Sequence, residues 1–217
     1  MKAEFGRLCA IVDVNVAEQA GWSPLDLADA YLNGGARFIQ IRAKSLPGAE
    51  LLDLASRLSE HADAAGASLI VNDRADIARL SGAAGVHVGQ DDLPASAARA
   101  IVGGAAVLGL STHNRVQIDR AVLAPVTYIA IGPVFGTSTK QTGHEAVGLG
   151  RVRDASDRAT PRGIKVVAIG GITLERAADV VGAGATSVAV ITDLLTGGDP
   201  EARVRAYLDR LARASKV

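Results

Sequence analysis

The chain has 217 residues, 48% of them hydrophobic and only 3% aromatic, so one large domain with a core of Val, Ile, Leu and Ala is expected. Lys plus Arg and Asp plus Glu both number 23, and a net charge of zero gives no electrostatic footprint for nucleic acid or an anionic membrane. A single cysteine, Cys9, excludes an intramolecular disulfide framework, and no run of about 18 apolar residues is there to span a bilayer.

In chain order, residues 1–7 are short and charged with no apolar block behind them, so a cytoplasmic protein is expected. Short apolar runs then predict strands at 8–14, 38–42, 68–72, 85–88, 107–111, 128–132, 165–169 and 187–191. Between them apolar residues recur at helical spacing, as in Leu51, Leu52, Ala55 and Leu58, and Pro24, Pro94 and Pro200 sit where first helical turns should be. Strands alternating with helices make βαβ units and a parallel sheet. Eight strands with no linker favour a closed α/β barrel, a (β/α)8 TIM barrel spanning 1–217 as one domain. A doubly wound open sheet satisfies the same alternation.

Nearly every predicted strand ends in a polar or glycine cluster, whereas the opposite ends carry small or apolar residues. In a parallel barrel all strand C-termini share one rim, and enzymes on this fold react there. An enzyme is therefore favoured over an interaction module.

Asp73 and Asp92 follow the third and fourth strands and would be neighbours on that rim. Carboxylate oxygens suit Mg2+, which keeps waters and adds substrate phosphate oxygens. The competing role for each is to cap the helix that follows. Arg42, Lys44 and Lys140 come from the second and sixth loops and could share the spread charge of a diphosphate, Arg with bidentate geometry. The string Gly132-Pro133-Val134-Phe135-Gly136-Thr137-Ser138-Thr139-Lys140 sets three hydroxyls beside a lysine. Gly170-Gly171 after the seventh strand and Ile191-Thr192 after the eighth match the backbone phosphate cup of such barrels. Two anion sites follow, one metal-assisted for a diphosphate and one of backbone amides for a monophosphate. Among the four histidines, His61 reads as a helix-surface residue and His144 as loop-exposed. His87 lies within a strand with a supporting role, His113 follows the fifth strand, and Tyr128 reads as packing.

These residues resemble thiamine-phosphate synthase, on strings that run in family order from about residue 38 to 191. They are Gln40-Ile41-Arg42-Ala43-Lys44, Asn72-Asp73, Gly85-Val86-His87-Val88-Gly89-Gln90-Asp91-Asp92-Leu93-Pro94, Gly109-Leu110-Ser111-Thr112-His113, the 132–140 string, and Gly170-Gly171-Ile172-Thr173. The resemblance implies condensation of 4-amino-5-hydroxymethyl-2-methylpyrimidine diphosphate with 4-methyl-5-(2-hydroxyethyl)thiazole phosphate, giving thiamine phosphate and diphosphate. It implies Mg2+ on Asp73 and Asp92. The pyrimidine diphosphate would meet Gln40, Ile41, Arg42, Ala43, Lys44, Asn72, Ser111 and Lys140. The thiazole phosphate would meet Thr137, Ser138, Thr139, Gly171, Ile191 and Thr192. Arg42, Lys44, Lys140 and Ser111 would be catalytic, and the loop at 43–48 is expected to close over the site.

The chain departs from the family's usual pattern at 11–21, at Gly136 where proline is common, and at 141–148. The partners expected are two phosphorylated small molecules, with neither nucleic acid nor membrane; the apolar first helix is also compatible with a homo-oligomer. A thiazole tautomerase on the same barrel would need only the monophosphate cup. A phosphate-sugar isomerase would need a general base on the rim, and a sensor would bind the precursors without turnover.

Overall fold

The computed structural model describes residues 5–136 and 145–214. Eight parallel strands close on themselves in sequence order: β1 (Leu8–Asp13), β2 (Phe38–Arg42), β3 (Ser68–Asn72), β4 (Gly85–Val88), β5 (Val107–Thr112), β6 (Tyr128–Ile131), β7 (Lys165–Ile169) and β8 (Ser187–Val190). β8 pairs with β1 through Leu8–Val188 and its neighbours, so no strand edge is left in the sheet. The open-sheet alternative is thereby excluded.

Period-two alternation sorts each strand into two faces. The outward set, including Ala10, Ile39, Val71, Val86, Ile129 and Val188, joins the helices in one buried shell. The inward set, including Cys9, Phe38, Ile70, Val107, Tyr128 and Val167, fills the lower barrel. Phe5 and Phe38 lie 4.5 Å apart between ring centroids, and Tyr128 meets both rings edge-on, so aromatic side chains seal the floor. Higher up, the inward positions turn polar: Asp13, Gln40, Arg42, Asn72, His87 and Ser111. The same alternation that builds the core thus delivers a polar mouth.

Short caps set the helices. Asp13 ends β1 because its carboxylate accepts the Val16 N–H and starts α1 (Val14–Gln19), where the strand was expected to run on to Val14. The segment at 11–21 that departs from the family pattern is therefore the end of β1 and this short helix. Ser23 caps α2 (Pro24–Asn33), with Pro24 in its first turn. The buried residues of α2, Leu27, Ala28, Tyr31 and Leu32, are spent within the chain's own shell. The following helices are α3 (Gly48–Ala64), α4 (Ala75–Leu80), α5 (Ala95–Val102), α6 (Arg115–Ala121), α7 (Gly148–Ala159), α8 (Ala177–Gly182) and α9 (Pro200–Arg213). Pro94 precedes α5 as its cap rather than entering the first turn, whereas Pro200 opens α9 behind an Asp199 cap. Among the described residues no helix is long and apolar enough to cross a membrane.

Candidate active site

At the C-terminal mouth the inward residues line a cavity of about 800 Å³, a size suited to small ligands. One half is built from β1 to β4. Asp13 and Arg42 are register partners on adjacent strands, so both point inward and form an ion pair. Asp13 is only 4% exposed, and it holds the guanidinium while also capping α1. Lys44 stands 3.5 Å from Asp73 with its ammonium largely exposed to the mouth.

Asp73 has φ +66°, a left-handed conformation that costs a non-glycine residue on the order of 1 kcal/mol. Its N–H donates to the His87 carbonyl at 2.7 Å, which ties the turn after β3 to β4. Asp92 accepts the Gly89 N–H at 2.7 Å. Neither carboxylate caps the helix that follows: α4 is capped at Arg74 and α5 at Pro94, both without a side-chain bond. Burial, a hydrogen bond shared with Asp92 and repulsion from that second carboxylate push the Asp73 carboxyl up, against the pull of Lys44. Two crowded carboxylates of this kind fit a divalent cation, which removes the repulsion between them. Among the described residues no group of three or more His, Cys, Asp or Glu side chains is clustered for a metal. A cation held by two carboxylates draws the rest of its shell from water and substrate, the pattern of coordination that Mg2+ favours.

The other half is backbone. Gly170 and Gly171 follow β7 with φ +100° and +62°. A side chain on Gly171 would collide with the Gly136 carbonyl and Phe135, so glycine is required by both conformation and closeness. After β8, residues Thr192–Leu195 form a 3-10 turn. Asp193 braces this turn from below: it accepts the Leu174 N–H, the Arg203 guanidinium at 2.7 Å and the Tyr207 hydroxyl at 2.5 Å.

Between the halves, at the foot of the cavity, lies a polar row. His87, Gly109 and Tyr128 are register partners on β4, β5 and β6. Tyr128 O–H lies 2.9 Å from His87 Nδ1, and His87 Nε2 lies 2.8 Å from Ser111 Oγ. Burial pushes the Tyr128 phenol well up, while Gln40 opposes that shift through a hydrogen bond.

The expected residues Gln40, Arg42, Lys44, Asn72, Asp73, Asp92, Ser111, Gly171, Ile191 and Thr192 all line this cavity. Ile41 and Ala43 do not. Ile41 is an even-numbered position of β2 whose side chain faces the helix shell, and Ala43 packs against the same shell. Their side chains thus serve packing and leave only backbone atoms to face a ligand. Thr137, Ser138, Thr139, Lys140 and His144 lie outside the described residues. His61 is half-exposed on α3 and bonds Asp29 at 2.7 Å. His113 lines the cavity, with Nδ1 2.7 Å from the Gly132 carbonyl. Sequence reading missed Asp13 and Asp193. Continuing the inward set Cys9, Ile11 to Asp13 would have found the first; the second is defined by contacts from α9 and has no local signal.

The family model described as thiamine monophosphate synthase matches residues 8–194. The thiamine-phosphate synthase of Roseiflexus castenholzii is 42% identical over 191 residues, covering 88% of this chain and 82% of that protein. A thiamine biosynthesis bifunctional protein of Symbiobacterium thermophilum is 44% identical over 195 residues; the match covers 90% of this chain and 40% of that longer one. In structure the chain is similar to a thiamine phosphate pyrophosphorylase from Pyrococcus furiosus, with TM-score 0.85, 24% identity and 96% of each chain covered, a likeness of fold. The resemblance carried by the rim motifs thus extends over nearly the whole barrel, and the chain belongs to the thiamine monophosphate synthase family.

Proposed function

We propose that this chain acts in the cytoplasm as one catalytic domain, condensing 4-amino-5-hydroxymethyl-2-methylpyrimidine diphosphate with 4-methyl-5-(2-hydroxyethyl)thiazole phosphate to thiamine phosphate and diphosphate. The observation that carries this reading is the meeting of two unlike walls in one cavity, side-chain cations and carboxylates on one and glycine backbone on the other, each suited to an anion. Two anionic groups held face to face suit the joining of two molecules.

Asp73 and Asp92 would hold Mg2+. When bound, that ion supplies charge neutralisation for the departing diphosphate. Arg42, kept rigid by Asp13, and Lys44 share the growing charge on the leaving group, where preorganised donors contribute most. Lys140 joins them in this reading. Gln40, Asn72 and Ser111 seat the pyrimidine, while Gly171, Ile191 and Thr192, with Thr137, Ser138 and Thr139, seat the thiazole phosphate. The thiazole nitrogen then attacks the carbon from which diphosphate has left, so no protein nucleophile is needed. Holding the two partners together against water is the remaining task of the walls. Ser45 Oγ donates to Asn15 Oδ1 at 2.8 Å, a tether through which the loop at 43–48 could settle over the mouth.

The test is incubation of both substrates with Mg2+, followed by measurement of thiamine phosphate and released diphosphate. No release from folded protein would sink the proposal. Loss of release in Asp92→Ala, with the fold intact, would support the metal role.

A further inference from the structure

The polar row at the foot of the cavity has a feature that neither anion site explains. His87 and Tyr128 stand on strands separated by β5, yet their side chains are hydrogen-bonded at 2.9 Å with their rings stacked. They meet because the residue between them in the register is Gly109, where a Cβ would overlap both the Tyr128 ring and His87 Nδ1. From there the row continues in two directions. His87 Nε2 reaches Ser111 Oγ, and the Tyr128 hydroxyl meets the side chain of Gln40 across the barrel. Both ends of the row, Gln40 and Ser111, line the cavity.

Such a row has two possible polarities. In one, Gln40 donates to Tyr128, Tyr128 donates to His87 Nδ1, and His87 donates from Nε2 to Ser111. Ser111 is then left with its O–H to give a ligand, and Gln40 with its carbonyl to receive one. In the other, every donor is reversed. The first is favoured because a phenol is a strong donor and weak acceptor, whereas a neutral imidazole nitrogen is a strong acceptor.

We propose that His87 and Tyr128 are positioning residues that fix this first polarity, so that Ser111 donates to a ring nitrogen and Gln40 accepts from the adjacent exocyclic amine. The pair thereby selects a 4-aminopyrimidine over its 4-oxo counterpart, whose N–H and carbonyl present the reverse pattern. This rests on the reading of the substrate as an aminopyrimidine. A site built to match donors and acceptors rejects the mismatched ligand because buried polar groups are left unpaired.

The first measurement needs no substrate. In 15N NMR of the full-length protein, with signals assigned by their loss in His87→Gln, the His87 imidazole is expected to carry its proton on Nε2. A proton on Nδ1 would overturn the proposal. The second compares wild type with Tyr128→Phe on the 4-amino and 4-oxo diphosphates. The ratio of their kcat/KM values is expected to fall about 10- to 100-fold in the variant. An equal loss for both ligands would mark Tyr128 as merely structural and overturn the selectivity. If the wild type turns over neither ligand, the condensation fails, while the imidazole signals and the relative binding of the two diphosphates still decide the polarity.

Discussion

The two walls of the mouth hold charge by opposite means. The wall from β1 to β4 uses charged side chains, each steadied by a neighbouring group: Asp13 under Arg42, Asp73 beside Lys44, the Gly89 N–H on Asp92. The wall from β7 and β8 uses backbone made accessible by glycine and braced from outside by Asp193, Arg203 and Tyr207. A side-chain wall can be edited one group at a time, and the identity of each group matters. A backbone wall tolerates changes of side-chain chemistry but not of shape.

The sharpest break is expected from Arg42→Ala, which should lower kcat/KM about 100- to 1,000-fold through lost leaving-group stabilisation. It also strands the nearly buried Asp13 without its cation, so urea unfolding should show a loss of up to about 3 kcal/mol. Adding Asp13→Asn should restore part of that stability and none of the activity. Gly171→Ala probes the other wall. Its Cβ has no room, and the KM for the thiazole phosphate should rise about 10- to 100-fold with a smaller change for the pyrimidine diphosphate. Equal shifts for both substrates would show that the walls are not independent.

Asp193→Asn leaves the Arg203 guanidinium without its anion and weakens the bond to Tyr207, whose phenol is pushed up by burial and by this carboxylate. A stability loss of about 1–3 kcal/mol is expected in thermal or urea unfolding. The smallest effect should come from Asp76→Asn, just beyond Asp73 but on the exposed surface. The Arg74 guanidinium holds the Asp76 carboxyl below the usual range. Its contribution is present above the ordinary carboxylate pKa and lost as pH falls through the lower folded value. Wild type and variant should differ by about 0.5 kcal/mol near neutrality and converge in acid, as melting curves across pH would show.

The barrel was legible because its strands are short apolar runs with sharp polar ends, and all eight observed strands start where expected and end within one residue of expectation, as in Phe38–Arg42 and Lys165–Ile169. The charged wall was legible for the same reason, since Arg42 ends β2, Asp73 follows β3 and Asp92 lies in the short loop after β4. Two things were not. Whether a side chain at the end of a strand faces the cavity depends on register, which is why those of Ile41 and Ala43 turn to the helix shell while their neighbours line the mouth. The support of the backbone wall by Tyr207 depends on where α9 docks, and nothing local to residue 193 signals it. The union of His87 with Tyr128 lies between these cases: both residues were visible, but only the pairing of β4, β5 and β6 shows that Gly109 lets them touch.

The aromatic floor of Phe5, Phe38 and Tyr128 makes the barrel a vessel with its opening at the rim. Traffic through it is one-ended. Whatever reaches Gln40 and Ser111 must pass the rim that carries Gly171, and must return by the same way.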